Sequence, residues 1–298
     1  GDVLEGGDGD DTIFTGANDG RSSVDVVRTG RGMDIVDLDG KGSGYVGFRY
    51  NDLNGTGEGI AVTLDGVAGT ASVDKGSNGS DTILNVQQGL ATFGFAGSMD
   101  FEGTSNGDIF TVNLGPDNIG TGSQQFLVIR SSDGVDSYDI SGTGFVRLDF
   151  RGAQTGVEVD LGRAGDQIVN DGFFNTETIT GRVNELRGSF NDDTLTGGAE
   201  DDQFITELGN DFVDGGGGFN TLRYDRPGIT GLDIDMAAGT ASGLWNGQFF
   251  TDSFVNIQSV RGSSGNDTIL GSGGDDRIEG GLGDDTLTGG LGADTFVV

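Results

Sequence analysis

The C-terminal part of the chain repeats a nine-residue pattern of polar and apolar positions. Four consecutive frames span residues 262–297, and their eighth positions are Ile269, Ile278, Leu287 and Phe296. Glycine fills the first and fourth positions of every frame. The last three positions predict a short strand whose central side chain points inward, and the first six predict a turn, because glycine tolerates positive φ. Two frames form one flattened coil, so the turns of every second frame stack along one edge.

The sixth position of each frame is an aspartate, which gives the stacked turns their chemistry. The stacking predicts two pairs, Asp267 with Asp285 and Asp276 with Asp294. Stacked strands lie about 4.8 Å apart and calcium–oxygen distances are about 2.4 Å, so one ion can reach oxygens of two turns. Carboxylates supply charge and glycine carbonyls supply neutral ligands. We therefore predict calcium sites here and not a flexible linker, which needs no apolar residue at every ninth position.

These frames resemble the RTX, or hemolysin-type, repeat GGxGxDxUx. The resemblance implies a calcium-binding parallel β-roll in a segment of a large secreted bacterial protein. Such proteins leave Gram-negative bacteria by type I secretion, remain unfolded in the low-calcium cytosol and fold outside the cell. We therefore expect an extracellular or cell-surface location and several bound calcium ions.

The same frame occurs four times in residues 188–223. Its sixth positions are Asp193, Asp202, Asp211 and Asn220. The stacking rule predicts that Asp193 pairs with Asp211 and that Asp202 pairs with Asn220. The second pair has one carboxylate fewer, so we expect the weaker calcium site there.

Less regular frames occur in the N-terminal half of the chain. Residues 6–14 fit the pattern well, whereas the frames at 20–28 and 29–37 have lost part of their loop glycines. These two frames could bind calcium or form plain solenoid strands, and both interpretations stay open. The sixth-position residues of the irregular frames are Asp2, Asp11, Asp25, Asp34 and Asp108.

Longer spacers between the repeats contain cleanly alternating segments at 60–64, 157–161 and 232–236, which is the period of half-buried strands. Helix signals are nearly absent. We predict an all-β fold, a right-handed parallel β-roll that continues into β-helix-like coils; the alternative is separate β-sandwich spacers between short rolls. The predicted segments are a partly degenerate roll at 1–47, spacer coils at 48–187, a roll at 188–223, spacer coils at 224–261 and a C-terminal roll at 262–298.

The composition excludes several classes of partner and site. The 48 acidic and 16 basic residues give a net charge of −32, which opposes compaction unless cations neutralise it and disfavours nucleic acid as a partner. No stretch has the apolar length of a membrane span. Because cysteine and histidine are both absent, the chain lacks disulfides, the usual Ser-His-Asp and Cys-His nucleophile systems, and His/Cys zinc sites.

Repeats without a catalytic constellation favour a structural role over an enzyme. Our first hypothesis is a calcium-folded segment of an adhesin or surface-layer protein, whose partners beside calcium are further copies of itself or a cell-surface glycan. The second is the export and folding module of a secreted enzyme or toxin whose catalytic domain lies outside this chain. A polysaccharide-modifying β-helix ranks last. Because the chain begins with Gly1 and shows no signal peptide, we expect a piece of a longer protein.

Overall fold

The structure is a computed structural model that describes residues 2–16, 24–39, 45–90, 99–116 and 124–297. The chain divides into two compact units. Unit 1 comprises Gly1–Gly152 and Asn175–Val183, and unit 2 comprises Ala153–Phe174 and Asn184–Val298.

Short β-strands make up most of both units. A short α-helix, α1 (Val86–Leu90), and 3₁₀ turns at Asn51–Leu53 and Gly76–Asn78 lie in unit 1. In chain order, the strands are β1 (Val3–Glu5), β2 (Thr12–Phe14), β3 (Val24–Arg28), β4 (Gly32–Asp37), β5 (Tyr45–Arg49), β6 (Ala61–Asp65), β7 (Thr70–Asp74), β8 (Gly79–Leu84), β9 (Met99–Glu102), β10 (Ile109–Leu114), β11 (Phe126–Arg130), β12 (Ser137–Gly142), β13 (Phe145–Asp149), β14 (Glu158–Asp160), β15 (Ile168–Asn170), β16 (Thr178–Gly181), β17 (Glu185–Arg187), β18 (Thr194–Thr196), β19 (Gln203–Ile205), β20 (Phe212–Asp214), β21 (Thr221–Arg223), β22 (Ile229–Asp235), β23 (Thr240–Trp245), β24 (Gln248–Val255), β25 (Ser259–Arg261), β26 (Thr268–Leu270), β27 (Arg277–Glu279), β28 (Thr286–Thr288) and β29 (Thr295–Val297).

Unit 1 contains two sheets between which the chain winds. One sheet has the order β1-β3-β5-β9-β11-β13 and is parallel throughout. The other has the order β16-β12-β10-β6-β7-β8-β4-β2. It is parallel except at β7, which lies antiparallel to both β6 and β8. The spacer strands therefore continue the coils of the N-terminal frames.

Unit 2 repeats this plan with two sets of paired strands. One is parallel, in the order β17-β19-β21-β25-β27-β29. The other has the order β15-β14-β18-β20-β24-β23-β22-β26-β28. Here β23 is antiparallel to β22 and β24, and β15 is antiparallel to β14. The predicted all-β solenoid of parallel coils is confirmed, with spacer strands in the same sheets as repeat strands and not in separate sandwiches.

The apolar eighth positions of the frames form the core of the roll. In unit 2, Leu195 stacks on Val213 and Phe204 stacks on Leu222, and all four side chains are fully buried. Burying such a side chain is worth about 1.5–3 kcal/mol. At the last coil Phe296 is still 46% exposed, because no further described strand covers it. One buried apolar residue per frame therefore lies at each register position of adjacent coils.

Candidate metal sites in the stacked turns

Most of the predicted sixth-position carboxylates are buried, although most of them belong to turns; Asp25 and Asp34 instead lie in the strands β3 and β4. A turn normally lies at the surface, yet stacking covers each of these turns with the next one. The buried members are Asp25, Asp34, Asp108, Asp193, Asp202, Asp211, Asp267 and Asp276. Asp2 is exposed, while Asp11, Asp285 and Asp294 are partly exposed.

Several of the buried carboxylates organise their own turns. The Ser263 N–H donates to Oδ2 of Asp267 at 2.6 Å, and the Ser263 hydroxyl donates to Oδ1 at 2.9 Å. These bonds join the second and sixth positions of the frame and close the turn around the carboxylate. The equivalent pairs are Ser189 with Asp193 and Ser272 with Asp276.

The same position also connects each turn to the next one. The Asp267 N–H donates to Oδ1 of Asp285 at 3.0 Å, so the two sixth positions predicted to pair are adjacent. The bond recurs along the chain, which makes a column of carboxylates at the edge of each roll. It joins Asp276 to Asp294, Asp193 to Asp211, Asp202 to Asn220, Asp2 to Asp25 and Asp11 to Asp34.

Two columns extend into the spacers, beyond the residues that the sequence singled out. Asp211 N–H donates to Oδ1 of Asp252 at 3.1 Å. In unit 1, Asp108 N–H donates to Asp136 at 2.8 Å, and Asp136 N–H donates to Glu177 at 3.4 Å. These acids were missed because they lie in spacer segments.

A sequence signal for Asp136 does exist. Residues 131–139 read SSDGVDSYD, with Gly134 at the fourth position, Asp136 at the sixth and Tyr138 at the eighth. The eighth-position ring is buried and stacks on Phe110, 5.6 Å between centroids. Asp252 is the sixth residue of GQFFTDSFV (247–255), which keeps Gly247 and Phe254 at the first and eighth positions but has no glycine at the fourth.

Glycine at the first position lets main-chain oxygens approach the carboxylates. A Cβ at Gly262 would lie 2.2 Å from the carbonyl oxygen of Gly280 and 2.7 Å from Oδ2 of Asp267. The same crowding occurs at Gly271, where a Cβ would lie 2.0 Å from the carbonyl oxygen of Gly289. The turn thus gathers carboxylate and carbonyl oxygens from two coils, and an all-oxygen set is the kind that calcium prefers.

Buried acids outside the turns have protein cations as partners. Asp100 is bonded by Arg49 at 2.5 Å and also by Arg130, and Glu185 is bonded by Arg223 at 2.6 Å. A buried carboxylate needs such pairing, because removing charge from water is costly. In the described part of the chain, by contrast, no lysine or arginine pairs with the turn carboxylates Asp193, Asp211 and Asp267.

The electrostatic cost is greatest where three carboxylates stack. Burial, together with the charges of Asp252 and Asp193, raises the pKa of Asp211 to about 9. Burial raises the pKa values of Asp193 and Asp252 to about 6 each. Oδ2 of Asp211 is buried without a hydrogen-bond partner. The column is therefore short of positive charge, and its donors fit a hard divalent cation.

A site of this kind must combine side chains with the main chain. Among the residues that the structure describes, no three acidic side chains converge closely enough to hold a metal ion by themselves. The stacked turns offer two sixth-position side chains and neighbouring carbonyl oxygens. This donor set agrees with the coordination expected from the repeat, in which glycine carbonyls complete the shell.

Comparison with protein families identifies the repeats. Residues 1–36, 187–222 and 261–296 match the family described as the RTX calcium-binding nonapeptide repeat. These three segments are RTX-type calcium-binding repeats. The RTX repeats bind Ca²⁺, and their number implies several ions. All the predicted site residues except Asp108 lie in the matched segments.

One further comparison and one observation on the helices bear on the identity of the chain. None of the curated proteins compared with the chain matches it. In the described residues, no helix combines the length and apolar character that crossing a membrane would require.

The raised pKa values predict that protons partly replace calcium. Because Asp193, Asp211 and Asp252 have higher pKa values in the folded chain than the ordinary 3.8, the folded chain retains protons that the unfolded chain releases. Their stabilising contribution is complete below about pH 4 and is lost as the pH rises through about 6 and then about 9. In calcium-free buffer, the folded fraction measured by circular dichroism should therefore rise on acidification from about pH 9 to about pH 5.

A pair of variants separates this column from the overall negative charge. Asp211→Asn should raise the folded fraction of the calcium-free chain above pH 7 and weaken its dependence on pH. Asp233→Asn, which removes the same charge from an exposed position on β22, should leave the pH dependence unchanged. Equal pH profiles for the two variants would contradict the assignment.

Proposed function

We propose that calcium binding to the stacked turns folds this chain outside the cell and that the folded chain serves there as a structural, adhesive segment. The proposed ligands are the sixth-position side chains of adjacent turns together with neighbouring glycine carbonyls. The observation that carries the proposal is the Asp193–Asp211–Asp252 column, buried and without a lysine or arginine partner in the described residues. Calcium supplies the positive charge that these turns lack.

Coupling of binding to folding follows from the position of the ligands. Oxygens of two adjacent turns approach each other only after the coils have stacked, so the site is absent from the unfolded chain and binding free energy becomes folding free energy. A net charge of −32 raises the need for cations further. Extracellular calcium modules bind with dissociation constants of about 10⁻⁴–10⁻³ M. Sites of this strength would remain empty in a low-calcium cytosol and fill outside, as the family resemblance suggests.

A structural role is supported by apolar side chains that are exposed on the repeat turns. Leu282 and Leu291 are 73% and 75% exposed in the last turns. Such a surface favours self-assembly or attachment over catalysis, and cell-surface glycans are a second class of partner for the same role.

The proposed ligand pairs predict the effect of removing one charge. Asp285→Asn keeps an oxygen that can accept the Asp267 N–H, as Asn220 does for Asp202 at 2.9 Å. The loss of charge should raise the calcium concentration at half-maximal folding about tenfold, the change that about 1.4 kcal/mol produces. Circular dichroism during calcium titration measures this midpoint.

Asp284→Asn is the matched control, because Asp284 occupies the exposed fifth position of the same frame. Its titration midpoint should remain close to that of the unaltered chain. If Asp285→Asn and Asp284→Asn shift the midpoint equally, Asp285 is not a ligand.

The structural role predicts calcium-dependent association. Sedimentation velocity and electron microscopy of the calcium-loaded chain should reveal concentration-dependent assemblies that disperse in chelator. Leu291→Asp should weaken assembly, whereas Val67→Asp, at another exposed position, should not. A calcium-loaded chain that stays monomeric at all concentrations and binds neither cells nor glycans would contradict this role.

A further inference from the structure

Lys75 is a buried lysine that forms ion pairs with two carboxylates of the repeat coils. It lies between β7 and β8 in unit 1, and its side chain is fully buried. Its Nζ contacts oxygens only: Oδ2 of Asp34 at 2.8 Å, Oδ1 of Asp81 at 2.5 Å, the Gly30 carbonyl at 2.8 Å and Oγ1 of Thr29 at 3.5 Å. A full ammonium charge thus occupies an all-oxygen pocket.

This pocket belongs to a repeat frame and is not an arbitrary ion pair. Asp34 is the sixth residue of the frame at 29–37, and Gly30 is the second. Asp81 lies opposite Asp34 in the parallel pairing of β4 with β8, so the two carboxylates belong to adjacent coils. The ammonium group therefore bridges carboxylates of two coils beside a glycine carbonyl, which is the donor set that we assign to calcium elsewhere.

Unit 2 contains the same arrangement without the lysine. Its frame at 206–214 starts with a threonine and has Asp211 at the sixth position, as the frame at 29–37 has Thr29 and Asp34. Asp252 follows on the adjacent strand β24. Asp81 has the corresponding place in unit 1, on β8 beside β4. Oδ2 of Asp211 is buried without a hydrogen-bond partner, whereas Oδ2 of Asp34 binds Nζ of Lys75.

A buried tyrosine marks the correspondence in both units. The Tyr50 hydroxyl donates to Oδ2 of Asp81 at 2.9 Å, and the Tyr224 hydroxyl donates to Oδ2 of Asp252 at 2.9 Å. Both tyrosines are almost completely buried. The two pockets therefore have matching carboxylates and matching hydroxyl donors. Of the two, only the pocket in unit 1 contains a lysine.

The two hairpins differ in length, so their turns lie at different distances from the buried carboxylate. Asp81 is the third residue of β8, whereas Asp252 is the fifth residue of β24, so the β7–β8 turn lies closer to its carboxylate. Lys75 stands at the start of that turn, and its main-chain N–H is anchored by the Gly79 carbonyl at 2.9 Å. In the longer hairpin of unit 2 the turn is formed by Asn246 and Gly247.

We propose that Lys75 is a built-in counter-ion that takes the place of calcium between Asp34 and Asp81, while the matching pocket of Asp211 and Asp252 takes a calcium ion. The inference rests on the proposed function for its assignment of calcium ligands. It divides the repeat turns into those that need calcium and one that carries its own cation. The region around β4, β7 and β8 is then a part of unit 1 that can form before calcium arrives.

The test counts calcium ions bound to the full chain. Lys75→Met keeps the length of the side chain but leaves two buried carboxylates without a cation. At saturating calcium, equilibrium dialysis should detect one more bound ion in Lys75→Met than in the unaltered chain, and Asp81→Asn in the Lys75→Met background should remove it. Arg163→Met, which removes a charge from an exposed residue, is the control and should bind the original number.

A second measurement follows the folding of the same region. In calcium-free buffer, hydrogen exchange of the unaltered chain should be slower in β4 and β8 than in β20 and β24. Lys75→Met should abolish this difference, and calcium should restore the protection. If Lys75→Met binds no additional ion, or remains unfolded at saturating calcium, the proposal is overturned.

Variants of the other pocket distinguish failure of this inference from failure of the proposed function. In the unaltered chain, Asp211→Asn should reduce the number of ions, whereas Asp81→Asn should not. Loss of an ion from Asp81→Asn would overturn the role of Lys75 alone. An unchanged count for Asp211→Asn would instead refute the calcium assignment on which it rests.

Discussion

The fold depends on stacking carboxylates at the edge of each roll. A side chain such as Asp211 accepts the main-chain N–H of Asp193 in the adjacent coil, so the turns cannot stack without bringing like charges together. Burial then raises the pKa values of Asp193, Asp211 and Asp252. The apolar core supplies one inward residue per frame, and we propose that cations between the turns supply the remaining stability.

Buried carboxylates of the chain fall into two groups, those paired with a protein cation and those without one. Where arginines are near, as with Arg49 and Arg130 beside Asp100, protein groups neutralise the buried acid. In the repeat turns, glycine lets main-chain oxygens approach the carboxylate, because a side chain at Gly262 would collide with the Gly280 carbonyl. We therefore propose that calcium dependence is a local property of individual turns, set by whether a turn has a lysine or arginine beside its carboxylates.

The regular repeats allowed much of this arrangement to be predicted from the sequence. A fixed spacing puts one residue type at one place in every coil, so the adjacency of Asp267 and Asp285 followed from counting. Lys75 could not be found in this way, and the frame around Asp252 is too degenerate to single it out. Their positions depend on antiparallel strands inserted into the spacers, whose lengths vary, and a lone lysine outside any frame carries no signal of its partners.

The most direct test is the structure of the chain with and without calcium at neutral pH. Far-UV circular dichroism and small-angle X-ray scattering should show a compact β-protein in millimolar calcium. After exhaustive removal of calcium, the radius of gyration should increase and most of the β-signal should disappear, and magnesium should not restore either, because it prefers tight octahedral coordination and retains its water. A chain that keeps its compact dimensions and β-signal in chelator would contradict the account.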